Sequence, residues 1–400
     1  MPKISNKGNE MPASPIRKLA SYANAAIARG VKVYHLNIGQ PDIETPEELW
    51  NCIRHIDRTI LEYSPSDGFP GLKKKYAAFL NESRVGTTIL PENLLVTTGG
   101  SEALLFAFMS VLDEGDEMIV PEPMYANYVG FARTGGIKIQ PLTCHFEDQF
   151  NLPPTAAFEA LITPKTKAIL ICNPNNPTGY VYTNEEMERL GKIALQHDLF
   201  LIVDEVYREF IYDDAPHLSV LDLPGLEEHA ILIDSVSKRF SACGARIGTL
   251  VSRNKAVIAT ALKFAQQRLS PPTLAQIGCE ALFEVDKSYF KKVNTEYKHR
   301  RDLIVQLLNE IPGVKCDVPK GAFYAIAQLP VKSADHFCQW VLESFETDGA
   351  TVMLASASGF YSSEGMGRQE VRIAYVLNDA DLRKAAHCLK VALNNYPEKL

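Results

Sequence analysis

Residues 168–234 contain three dense apolar runs: Ala168-Ile-Leu-Ile-Cys172, Phe200-Leu-Ile-Val-Asp204 and Ala230-Ile-Leu-Ile-Asp234. Each is too short for an ordinary helix and continuous rather than alternating, the pattern of a strand covered on both faces. Leu94–Thr98, Glu117–Val120 and Gly248–Ser252 read the same way. Between them lie segments with helical periodicity, among them Glu102–Leu112 and Asn184–His197. Strands alternating with helices predict an α/β fold with a parallel sheet.

The two ends of the chain differ from this middle. Residues 1–40 read as irregular apart from a short apolar run, Val31–Ile38. Beyond about residue 290 come a charged helix, Tyr297–Glu310, then β-like pieces around Ala322–Ala327 and Val371–Val376, then a C-terminal helix. The expected organisation is an N-terminal segment (1–45), a large domain (46–290) and a smaller α+β domain (291–400) that the N-terminal segment joins.

A length of 400 residues suits two domains. The 46% hydrophobic and 22% charged content excludes a disordered or collagen-like chain. A formal charge of -7 without a dense Lys/Arg run argues against nucleic acid or an anionic membrane as partner. The eight cysteines form no CxxC pair and most sit inside apolar stretches, so they are expected to be buried free thiols in a reducing, cytoplasmic setting, with no zinc site. The first 20 residues lack an apolar core and are not expected to act as a signal peptide.

In open α/β sheets, ligands bind beyond the carboxyl ends of the strands. Gly99-Gly100-Ser101, Tyr125, Asn176, Asp204 with Tyr207, and Ser235, Ser237 and Lys238 each follow an apolar run. Five strand ends thus bring glycine, aromatic, amide, carboxylate, hydroxyl and amine groups to one edge, which describes a site for one flat, phosphorylated ligand. Singly, each has a plainer reading. Gly99-Gly100-Ser101 is either a tight turn with a serine cap or a phosphate-holding helix start. Asp204 is either a cap or the partner of a cationic ligand. Lys238 alone would be a surface lysine, but Ser235-Val-Ser-Lys-Arg-Phe-Ser-Ala-Cys-Gly-Ala-Arg-Ile-Gly248 is not a surface-like stretch. The absence of GxGxxG and GxxxxGK[ST] weakens dinucleotide and nucleoside-triphosphate readings.

That stretch resembles the cofactor-lysine motif of the class I/II aminotransferases, fold type I pyridoxal-phosphate enzymes. Six further segments resemble the family in order: Asn37-Ile-Gly39-Gln-Pro-Asp, Tyr63-Ser-Pro-Ser-Asp-Gly, Thr98-Gly-Gly-Ser-Glu-Ala103, Asn173-Pro-Asn-Asn176-Pro-Thr-Gly179, Asp204-Glu-Val-Tyr207, and Gly321-Ala-Phe-Tyr324 with Val371-Arg372-Ile-Ala. The resemblance implies a mostly parallel sheet of the seven-stranded type, flanked by helices, and an aspartate-aminotransferase-like activity. Glutamate/2-oxoglutarate is the expected common pair and aspartate the leading partner. Alanine or aromatic amino acids are alternatives, as is a β-lyase of the same fold type.

The resemblance also implies roles. Lys238 would bind the aldehyde of pyridoxal 5'-phosphate and act as base. Asp204 would face the pyridine nitrogen, Tyr207 and Asn176 the phenolic oxygen, and Tyr125 the ring face. Gly100, Ser101, Glu102, Ser235, Ser237 and Arg246 would hold the phosphate, joined by Tyr63 of the neighbouring subunit in a homodimer. Arg372 would hold the substrate carboxylate with Asn176 and Gly39. Where one branch of the family has a lysine for a substrate's distal carboxylate, this chain has Ser101. Arg17, Arg133 and Arg268 are the candidates for that contact.

Overall fold

The computed structural model describes residues 2–82, 88–215 and 217–400. Thirteen strands are present among them: β1 (Lys32–His35), β2 (Leu94–Thr97), β3 (Glu117–Glu122), β4 (Lys138–Thr143), β5 (Thr166–Cys172), β6 (Phe200–Asp204), β7 (Ala230–Ser235), β8 (Gly248–Val251), β9 (Lys315–Cys316), β10 (Tyr324–Gln328), β11 (Ala350–Met353), β12 (Ala355–Ser356) and β13 (Glu370–Ala374).

Seven strands form one sheet in the order β2-β8-β7-β6-β5-β3-β4. All its strands run parallel except β8, which is antiparallel to both neighbours. The fold is therefore α/β, with a mostly parallel seven-stranded sheet flanked by helices. The apolar runs explain the packing. Ala168, Leu170 and Cys172 point to one buried cluster, while Ile169 and Ile171 point to another across the sheet. A strand with a core on each face has no polar side to show, which is why its sequence does not alternate.

β4 was not among the expected strands. Its Lys-Ile-Gln-Pro-Leu-Thr sequence mixes polar and apolar residues, because it is an edge strand with few fully buried positions. The N-terminal region is also less irregular than expected. Ala20–Ala28 is a helix rich in alanine, the strongest helix former, and it lacks a pronounced apolar stripe. The charged helix starts well before Tyr297 and spans Ser288–Asn309. Its first turns carry Tyr289 and Phe290, which pack on Phe240, a contact no periodicity discloses.

Two smaller sheets complete the molecule. β1 pairs in parallel with β11, joining the N-terminal end to the C-terminal part, and β12-β13-β10-β9 form an antiparallel sheet. No helix among the described residues is long and apolar enough to cross a membrane. All eight cysteines are free. Six are buried as expected, whereas Cys52 and Cys243 are only partly covered.

Candidate active site

The parallel register sets the strand ends abreast: Cys172 pairs with Asp204, and Asp204 with Ile233. Beyond these ends lies a cavity of about 660 Å³. It gathers Gly39, Gly100, Ser101, Tyr125, Asn176, Asp204, Tyr207, Ser235, Ser237, Lys238, Arg246 and Arg372 from across the chain. Glu102 and Tyr63 are not in its lining. The Glu102 carboxylate turns back to accept from Thr98 N at 2.7 Å and pairs with Arg268 at 3.2 Å. Tyr63 is 77% exposed.

Lys238 stands in a single helical turn, Val236–Arg239, capped by Ser235, whose hydroxyl accepts from Ser237 N. Its Nζ donates to Gly39 O at 2.9 Å and lies 3.9 Å from Cys243 Sγ. The Ser235 and Ser237 hydroxyls are 2.8 Å apart and buried. Asp204 ends β6 and is buried. It accepts from Tyr128 hydroxyl at 2.8 Å and Val206 N at 3.3 Å. Burial pushes its carboxyl up to about 6, against the pull of those two donors; nearby Asp234 adds to the rise and Lys238 opposes it. Such a group is costly while ionised unless a cation or a proton donor meets it.

At the other end of the cavity, the Gly99–Val111 helix opens with its free N–H groups toward the space, a natural anion site. The Arg246 guanidinium packs on Gly99, where a Cβ would lie 2.4 Å from Nη2; Gly99 also has φ +74°. The left-handed φ favours glycine here, and a Cβ would also push the Arg246 guanidinium away.

Arg372, on β13, is buried. It donates to Asn176 Oδ1 at 2.9 Å and to Asn37 O, while its Nε has no hydrogen-bond partner. Its guanidinium sits 4.4 Å from the Tyr324 ring centroid and 4.9 Å from that of Phe360. Burial lowers its affinity for the proton, opposed by neighbouring tyrosines rather than by a carboxylate. A buried guanidinium framed by aromatic rings and an amide is suited to a carboxylate ligand. Tyr125 packs edge-on to Tyr128, with its phenol pushed up to about 12 by burial. The Tyr207 hydroxyl shares a 2.8 Å hydrogen bond with Tyr324.

Of the three arginines weighed for a distal carboxylate, Arg17 alone lines the cavity. Arg133 pairs with Glu10 at 2.6 Å and Arg268 with Glu102, so both are engaged elsewhere. Sequence reasoning missed Tyr128 and Tyr324 as site residues. Tyr128 lies three positions after Tyr125, in the first turn of the Asn127–Gly135 helix, and that closeness in sequence was the available signal. Tyr324 stood within a recognised motif that carried no role.

The chain is similar to known proteins over most of its length. The family model "Aminotransferase class I and II" matches residues 31–389. An aspartate aminotransferase from Musicola paradisiaca is 35% identical over 79% of this chain and 80% of its own. An aspartate/prephenate aminotransferase from Thermus thermophilus is 32% identical over 89% and 90%. The crystal structure of an aspartate aminotransferase from Thermotoga maritima superposes with a TM-score of 0.89 at 30% identity, covering 98% of this chain and all of that one. With its Lys238 stretch, strand-end cavity and buried Arg372 on the one fold, the chain belongs to the class I and II aminotransferases, transferases of nitrogenous groups.

Proposed function

We propose that this aminotransferase is pyridoxal-phosphate-dependent and exchanges the amino group of aspartate with 2-oxoglutarate. The observation that carries the reading is the meeting of Lys238, buried Asp204 and buried Arg372 in one cavity. The residues fit the cofactor. Asp204 is a buried carboxylate suited to a protonated ring nitrogen, and Arg246 beside a helix N-terminus is suited to a phosphate dianion. Tyr125 offers a ring face, and Tyr207 with Asn176 offers hydrogen bonds. Gly100, Ser101, Ser235 and Ser237 add donors for the phosphate, and Glu102 adds a backbone N–H.

When bound, pyridoxal phosphate supplies the electron sink that makes a substrate's α-proton removable. The chain supplies the rest. Arg372, steadied by Asn176 and the backbone around Gly39, holds the substrate α-carboxylate. Lys238 Nζ, which lines the cavity beside Gly39 O, takes the α-proton and later returns it. Tyr125, Tyr207 and Tyr324 line the cavity around it.

The same reading makes the protein a cytoplasmic homodimer that takes amino acids and 2-oxo acids, with neither nucleic acid nor membrane as partner. Its free thiols are in keeping with a reducing compartment. The division at 1–45, 46–290 and 291–400 belongs to this proposal. The β1–β11 pairing supports the link between the ends, and the Ser288–Asn309 helix spans the second boundary.

The test is purified protein with aspartate and 2-oxoglutarate. Stoichiometric glutamate is expected. Ammonia release without glutamate would instead mark a β-lyase, and better turnover with alanine or an aromatic donor would reassign the substrate. Lys238→Ala should stop turnover, and borohydride reduction followed by peptide mapping should label Lys238 in the wild type. Label on another lysine would overturn the assignment.

A further inference from the structure

Tyr324 has no role in the scheme above, yet it touches three of the groups that do. It opens β10, in the C-terminal antiparallel sheet, and its side chain reaches the carboxyl edge of the large sheet. Its hydroxyl shares the 2.8 Å hydrogen bond with Tyr207. The face of its ring lies against the Arg372 guanidinium, 4.4 Å from the centroid. Its hydroxyl is also packed so tightly on Gly39 that a Cβ there would lie 1.7 Å from the phenol oxygen. The side chain is buried.

In a hydrogen bond between two hydroxyls, one donates and the other accepts. If Tyr207 is to donate to a ligand in the cavity, it cannot also donate to Tyr324. The proton in the shared bond must then come from Tyr324. Donation from Tyr324 polarises the Tyr207 hydroxyl and makes it a stronger donor in turn. The Tyr324 ring meanwhile attracts the guanidinium to its face and limits how Arg372 can rotate.

We propose that Tyr324 is a positioning residue for the amino-transfer reaction: its hydroxyl commits Tyr207 to donate into the cavity, and its ring fixes Arg372 for the substrate carboxylate. It thereby links the carboxylate-binding group on β13 to the tuning group beyond β6 through one side chain. The inference rests on the pyridoxal-phosphate reading given above.

Two substitutions separate the two roles. Tyr324→Phe keeps the ring and removes the hydroxyl; Tyr324→Leu removes both. Three quantities are measured on the holoenzyme: kcat and KM for aspartate, the pH midpoint of the visible absorption band of the bound cofactor, and the affinity for maleate as a non-reacting dicarboxylate. Tyr324→Phe should lower kcat about tenfold, equivalent to ~1.4 kcal/mol, and move the pH midpoint, with maleate affinity kept. Tyr324→Leu should in addition weaken maleate about tenfold or more, the scale of a desolvated cation–π contact. A Tyr324→Phe enzyme with wild-type kcat and pH midpoint overturns the hydroxyl's role. Equal maleate affinity in the two variants overturns the ring's role. Wild-type protein that neither shows the band nor makes glutamate overturns the underlying reading, which the Tyr324 comparisons alone cannot do.

Discussion

Asp204 is a group whose placement opposes folding. Its carboxyl titrates near 6 in the folded chain against an ordinary 3.8, because burial outweighs its hydrogen bonds from Tyr128 and Val206. Between those values the folded chain keeps a proton that the unfolded chain has released. Stability therefore falls as pH rises through the window, by up to roughly 3 kcal/mol, and the loss persists above it. Asp204→Asn removes the charge and keeps the shape. The cofactor-free variant should be more stable than wild type near neutral pH and gain little near pH ~4, where wild-type Asp204 is already neutral. Urea unfolding at the two pH values measures this. Turnover should fall by several powers of ten, since the ring nitrogen loses its counter-charge. A variant with unchanged stability at neutral pH would show that Asp204 is not held at a cost.

The Val236–Arg239 turn is too short to be stable alone, and its surroundings hold it in shape. Arg239, its last residue, pairs with Asp234, which lies just before the cap, and with Glu209 at 3.2 Å. Asp234 also accepts from Tyr76 hydroxyl at 3.0 Å and from Ser235 N at 2.8 Å. The ion pairs thus close the turn that presents Lys238 and tie it to the segment just beyond Tyr207. Arg239→Met would leave buried Asp234 without its cation and partly buried Glu209 with Arg208 at 3.6 Å, and should cost about 3–5 kcal/mol. Arg239→Lys, which retains the charge, should cost clearly less. Equal, small losses in unfolding midpoint for the two would make the network dispensable. By contrast, the Asn184–Gln196 helix was legible in outline. Thr183 and Glu186 form a capping box at its start, and Met187, Leu190 and Ala194 line its buried side.

At the scale of the whole molecule, Tyr63 is the residue that a single chain does not explain. It is 77% exposed and lies outside its own chain's cavity. In the proposed homodimer its hydroxyl reaches the partner's phosphate site, so a working site needs Tyr63 from one chain and Lys238 from the other. Tyr63→Ala homodimers should be impaired and Lys238→Ala homodimers inactive. Mixing them and allowing subunit exchange should restore activity, because one of the two sites in a mixed dimer carries neither lesion. Exchange verified by mass without recovery would remove Tyr63 from the shared site.

The apolar runs and the residues that follow them specified most of the large sheet and most of the cavity, for a local reason. A strand buried on both faces must be apolar throughout, and in a parallel sheet its carboxyl end faces the ligand. Lys238, Asp204, Asn176 and Tyr207 could therefore be placed at one edge from their positions along the chain. What depends on distant segments meeting was decided only by tertiary structure. β4 pairs at an edge where its pattern is mixed, and the Ser288–Asn309 helix is extended by aromatic packing on Phe240. Arg133 and Arg268 were spent on Glu10 and Glu102, which left Arg17 at the cavity. Tyr128 and Tyr324 acquired their partners at separations of 76 and 117 residues, Asp204 for the one and Tyr207 for the other. A hydrogen bond across such a distance leaves no periodic trace, because the helix and strand repeats report only which face of its own element a side chain occupies.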